Sequence, residues 1–113
     1  MTDGPDAARI RAVVVDDAVL LREGLARVLD EAGIDVIGQY SDARAFLATL
    51  PDGAPDVVVM DVRMPPTFTD EGVRAAVETR RIAPRTGVLL LSQYVEATYA
   101  EDVLAAGATG IGY

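Results

Sequence analysis

Four short runs of consecutive apolar residues limit what this chain can fold into: Ala12-Val13-Val14-Val15, Val36-Ile37 with Ile34 before it, Val57-Val58-Val59-Met60, and Val88-Leu89-Leu90-Leu91. Each is too short for a buried helix, and none alternates apolar with polar residues. A strand with one wet face alternates; a strand covered on both faces need not, so these runs predict central strands of a parallel sheet. Parallel neighbours require long crossovers, and the intervening stretches have helical spacing. Strand–helix alternation of this kind gives right-handed βαβ units and an open, doubly wound sheet.

The helices can be placed individually. In the first, Leu21, Leu25, Val28, Leu29 and Ala32 share a face, and Gly33 follows as terminator. The second has Ser41 as N-cap, a stripe of Ala43, Phe46, Leu47 and Leu50, and Pro51 as its stop. The third starts near Asp70-Glu71, buries Val73, Ala76 and Val77, and carries Arg80-Arg81 in its last turn. A fourth runs from about Val95 to Ala106, with Tyr99, Val103 and Leu104 as inward candidates. Residues 1–8 lack periodicity and read as a flexible tail, and Ile111-Gly112-Tyr113 opens a fifth strand.

Composition removes whole classes of chemistry. There are 113 residues, half of them apolar, which suits one packed domain. With no Cys and no His, disulfides, thiolate or histidine metal sites, Cys nucleophiles and Ser-His-Asp triads are excluded. A net charge of −8 argues against this segment gripping a phosphate backbone. All basic residues are Arg, and Lys is absent. The first residues lack a basic leader and no apolar run is of spanning length, so the chain reads as cytoplasmic.

In an open parallel sheet, ligands bind beyond the carboxyl ends of the strands. There the sequence puts Asp16-Asp17 after the first strand, Asp61 after the third and Ser92 after the fourth. Like charges gathered at one end of a sheet repel and raise one another's pKa unless a cation neutralises them. An oxygen-only cluster suits a hard ion, with Mg²⁺ the natural choice.

The elements VVVDD, MDVRMPP and LLLSQ, in register with this strand pattern, resemble the receiver domain of two-component response regulators from about Arg11 to Tyr113. The resemblance implies a flavodoxin-like (βα)5 sheet of order 2-1-3-4-5, here without its last helix, with residues 9–113 forming the receiver. It implies that Asp61 accepts a phosphoryl group from a sensor histidine kinase. Asp16, Asp17, Asp61 and the backbone carbonyl of Arg63 would bind Mg²⁺. Ser92 would hydrogen-bond the phosphoryl oxygens, and Tyr113 would be the switch aromatic. The longer RMPPTFTDEGV segment and the GATGIGY ending look like the NarL/FixJ (LuxR-type) subfamily, whose full-length members bind DNA through a C-terminal helix-turn-helix domain that these residues do not include. The family's Lys past the switch aromatic has no counterpart here, so the sequence reads as ending before that Lys and the fifth helix. An uncovered apolar sheet face, including some of Val57–Val59 and Val88–Leu91, then predicts self-association into a homodimer.

Plainer readings stand beside these. Asp16 can be a helix N-cap, Asp61 a turn residue before Met64-Pro65-Pro66, and Ser92 a turn or cap residue. Only their coincidence at one sheet end favours a site. Two other functions keep a place: a phosphorylation-independent interaction domain, and a Mg²⁺-dependent phosphohydrolase of the haloacid dehalogenase type. The latter expects a second Asp two residues after its nucleophile, where this chain has Arg63.

Overall fold

A computed structural model describes residues 9–62, 71–91 and the backbone of 111–112. The expectations for residues 1–8, Arg63, Met64-Pro65-Pro66, Ser92, the fourth helix with Tyr99, and Tyr113 lie outside the described residues.

The apolar runs do become strands. They are β1 (Arg11–Val15), β2 (Asp35–Tyr40), β3 (Val57–Asp61) and β4 (Gly87–Leu91), with a short β5 (Ile111–Gly112). Between them lie α1 (Val19–Glu31), α2 (Ala43–Leu47), a 3₁₀ turn at Leu50–Asp52, and α3 (Glu71–Ile82). All pairings are parallel, in the order β2-β1-β3-β4-β5. This is the doubly wound, flavodoxin-like sheet expected from the sequence.

Alternation along the strands sorts the side chains onto two faces. Val13, Val15, Val58, Met60, Val88 and Leu90 pack with Phe46, Leu50, Val73, Ala75 and Ala76, so α2, the 3₁₀ turn and α3 cover one face. Phe46 is fully buried there, with its ring centroid 6.0 Å from that of Tyr40. The opposite face carries Ala12, Val14 and Val59, all buried, and Leu89, which is 37% exposed. On this side α1 packs against β1 and β2.

The structure corrects several details. The α2 cap is Asp42, not Ser41: its side chain accepts the Ala45 N–H at 2.8 Å. The two cap-competent residues are adjacent, and because α2 begins at Ala43 it is Asp42 that stands directly before the first helical residue. Helix α2 ends at Leu47, and Leu50 and Pro51 belong to the 3₁₀ turn, where a proline near the start is favourable rather than a stop. Strand β2 lies at the edge, as the order 2-1-3-4-5 requires although its apolar run alone suggests a central strand, and Ile37 is exposed. In α3 the buried face includes Ala75 and Thr79, while Val77 is only half-buried.

The largest difference concerns α1. Among its thirteen residues only Ala26 is buried; Leu21 and Val28 are exposed, as is Ala32 at the C-cap. Among the described residues, α1 lies against the β1–β2 edge of the sheet with no second helix beside it. Its exit does follow the sequence. Gly33 takes φ 87°, its N–H reaches Asp30 C=O at 3.0 Å, and Ile34 N–H reaches Leu29 C=O at 2.9 Å, a left-handed glycine stop.

Candidate functional site at the strand carboxyl ends

Register brings the carboxylates together. Val15 pairs with Met60, so the next residues on each strand, Asp16 and Asp61, leave the sheet side by side. Asp16, Asp17 and Asp61 each offer a carboxylate oxygen within 4.8 Å of the others. These are the three acidic residues expected from the sequence.

Asp16 is only 2% exposed and is held at several points. Its N–H donates to Tyr40 C=O at 3.0 Å, which continues the β1–β2 pairing past the strand end. Its Oδ1 accepts the Ala18 N–H at 2.8 Å, which turns the chain from β1 into α1. The capping role considered from sequence is therefore present in modified form: Ala18 occupies the N-cap position without a side-chain bond of its own, and Asp16 serves the turn ahead of it. Its main-chain carbonyl accepts a hydrogen bond from Arg22 Nη1 at 2.7 Å. Sequence reasoning missed Arg22, because nothing in its spacing separates it from other exposed helix cations.

The second carboxylate oxygen of Asp16, Oδ2, is buried without a hydrogen-bond partner. Such an oxygen is costly unless something meets it. The Asp16 pKa is accordingly raised, first by burial and then by repulsion from Asp17; the Ala18 N–H and the Arg22 charge pull the other way. Asp17 and Asp61 are half-buried, so the cluster is reachable from solvent on one side. Three carboxylates, one of them carrying an unpartnered buried oxygen and none accompanied by nitrogen or sulfur ligands, fit a small hard divalent cation that retains waters.

Strand β3 and its exit are fixed from both sides. Val62 N–H donates to Leu91 C=O at 3.0 Å, and Val62 C=O accepts Gly72 N–H at 2.8 Å. Val62, directly after Asp61, is thus clamped between β4 and the first turn of α3.

Comparison with known proteins agrees with this arrangement. Residues 12–111 match the family model of the response regulator receiver domain. The chain is 36% identical over 107 residues to the transcriptional regulatory protein NarL of Mycobacterium tuberculosis, covering 94% of this chain and 48% of that protein. It is 35% identical over 96 residues to a protein-glutamate methylesterase/protein-glutamine glutaminase of Haloarcula marismortui, covering 85% of this chain and 24% of that protein. The chain therefore spans about half, or less, of the length of these relatives. Among solved structures, the signal receiver domain of the response regulator NarL from M. tuberculosis superposes with a TM-score of 0.77 at 35% identity, over 91% of this chain and 82% of that one.

Proposed function

The chain belongs to the response regulator receiver domain family, and from that premise we propose that Asp61 is its phosphoacceptor and that residues 9–113 act as a phosphorylation-controlled switch. The observation that carries this reading is the cluster of Asp16, Asp17 and Asp61 within 4.8 Å, with the orphaned Asp16 Oδ2 beside them. Packing gives no reason to collect three carboxylates, whereas phosphoryl transfer does.

Asp16, Asp17, Asp61 and the backbone carbonyl of Arg63 would hold Mg²⁺, which when bound supplies neutralising charge to the transferring phosphoryl group. A carboxylate oxygen of Asp61 attacks the phosphorus of a phosphohistidine on a sensor kinase. The new O–P bond makes an acyl phosphate, the P–N bond breaks, and its electron pair returns to the imidazole nitrogen. Asp16 is held by Ala18 and Arg22, which fixes its carboxylate beside Asp17 and Asp61. Ser92 would donate its hydroxyl to a phosphoryl oxygen, and Tyr113 would turn with it.

The module is a stoichiometric acceptor rather than a turnover enzyme, and it works in the cytoplasm; among the described residues no helix is long and apolar enough to cross a membrane. Its output is DNA binding through a separate helix-turn-helix domain, a reading supported by likeness to a transcriptional regulatory protein.

Incubation with a small phosphodonor and Mg²⁺, read by intact mass, tests the assignment. One phosphoryl group per chain is expected, absent in Asp61→Asn and reduced in Asp17→Ala, with both variants folded. Undiminished incorporation in Asp61→Asn refutes the acceptor. Sustained release of phosphate would favour the phosphohydrolase, and no reaction the phosphorylation-independent interaction domain.

A further inference from the structure

Gly72 stands in the first turn of α3, although glycine is among the poorest residues for a helix. Its own backbone does not demand glycine, since the described glycines with positive φ are Gly33 and Gly53. Its neighbours do. A Cβ at Gly72 would lie 2.0 Å from the carbonyl oxygen of Asp61, 2.7 Å from Val62 Cα and 2.8 Å from the Asp61 carbonyl carbon. All three are main-chain atoms, so no side-chain rotation relieves the overlap. Four other glycines differ: Gly24, Gly33 and Gly53 have nothing within 4 Å, and Gly38 meets only the Tyr40 side chain.

We propose that Gly72 is a positioning residue for Asp61. By lacking a side chain it lets α3 lie directly on the Asp61–Val62 peptide, and its N–H locks that contact through Val62 C=O at 2.8 Å. The peptide is held on its other side by Leu91 C=O, so it has little freedom to move. Where the peptide sits decides where the Asp61 carboxylate stands relative to Asp16 and Asp17. A methyl at Gly72 must open the 2.0 Å approach to the 3.4 Å of ordinary contact, a displacement of more than an ångström. A misplacement of about 1 Å at a reacting group costs on the order of 10²-fold in rate. The consequence for phosphoryl transfer rests on the function proposed above; the contact itself does not.

The test compares Gly72→Ala with Ala76→Gly, which weakens the same helix at a buried position in the core away from Asp61. Two quantities are read: the initial rate of phosphate incorporation from a small phosphodonor at saturating Mg²⁺, and the midpoint of a Mg²⁺ titration followed by amide NMR. Gly72→Ala should lower the rate by about 10²-fold and raise the Mg²⁺ midpoint. Ala76→Gly should lower the melting temperature and leave both unchanged. A folded Gly72→Ala chain with the parental rate and midpoint overturns the proposal, as does an equal loss in Ala76→Gly. If Gly72→Ala does not fold, the parent decides: its Gly72 amide should be protected from exchange and shift with Mg²⁺, and an indifferent, unprotected amide overturns the proposal. A parent that takes no phosphate refutes the acceptor function, while the Mg²⁺ titration still judges the positioning role.

Discussion

Replacing Asp16 by Asn removes one charge from the acidic cluster while keeping its shape. The Asn Oδ1 still accepts the Ala18 N–H, and the new NH₂ replaces the orphaned Oδ2 with a group that can donate toward Asp17 or Asp61. At 4.8 Å, the outer limit of the oxygen separations in the cluster, two charges repel by roughly 3.5 kcal/mol at an effective dielectric of ~20, and by roughly 0.9 kcal/mol in bulk water. Asp17 and Asp61 are half-buried, so each pair with Asp16 falls between these limits. Loss of the Arg22 attraction subtracts from the sum. A net gain of about 1–2 kcal/mol remains, which raises the melting temperature of a domain this size by at least about 4 °C. Thermal denaturation by circular dichroism in EDTA should show it.

Two further readings come from the same experiment. Mg²⁺ at 100 times its Kd should stabilise the parent by about 2.7 kcal/mol and Asp16→Asn far less, inverting their order. In EDTA the gap should close as pH falls. Burial raises the folded pKa of Asp16 above its ordinary value of 3.8, so between the unfolded and folded pKa values the native chain binds more protons, and acid favours it. The variant has no such group. An Asp16→Asn chain that melts at or below the parent in EDTA would refute the reasoning.

Other outcomes follow from single residues. Phe46→Ala empties a fully buried ring site beside Tyr40 and should cost about 3–5 kcal/mol, read as a lower urea midpoint with the acidic cluster intact. Ser92→Ala should still accept phosphate at Asp61 but respond less to it; an undiminished response in amide spectra over residues 95–107 would remove Ser92 from the switch.

Strands β1, β3 and β4 were legible because burial on both faces leaves a continuous apolar run, a signal that survives without any knowledge of partners. Strand β2 was harder to read, since Val36-Ile37 resembles the others while its edge position leaves Ile37 exposed. The spacing of Leu21, Leu25, Val28, Leu29 and Ala32 marks a helix, but periodicity cannot say how much of a face finds cover, and Val28 is 63% exposed. Asp16, Asp17 and Asp61 could be grouped because parallel topology sends all strand carboxyl ends to one side. Arg22 and Gly72 could not. Arg22 acts through a carbonyl, which every residue has, and Gly72 acts through the space it leaves, which depends on how α3 meets β3.

The thin anchoring of α1 has a consequence for how this molecule breathes. Segments that bury little open at lower free energy than the whole fold unfolds. With Ala26 its one buried residue, α1 should lift from the sheet in sub-global openings, and its amides should exchange well before those of β1 and β3. Arg22 rides on that helix and grips the carbonyl of Asp16. Each such opening therefore loosens one corner of the acidic pocket while β3, beneath Asp61, stays closed. The Asp16 side and the Asp61 side of the acidic cluster are mounted on parts of the protein with different lifetimes.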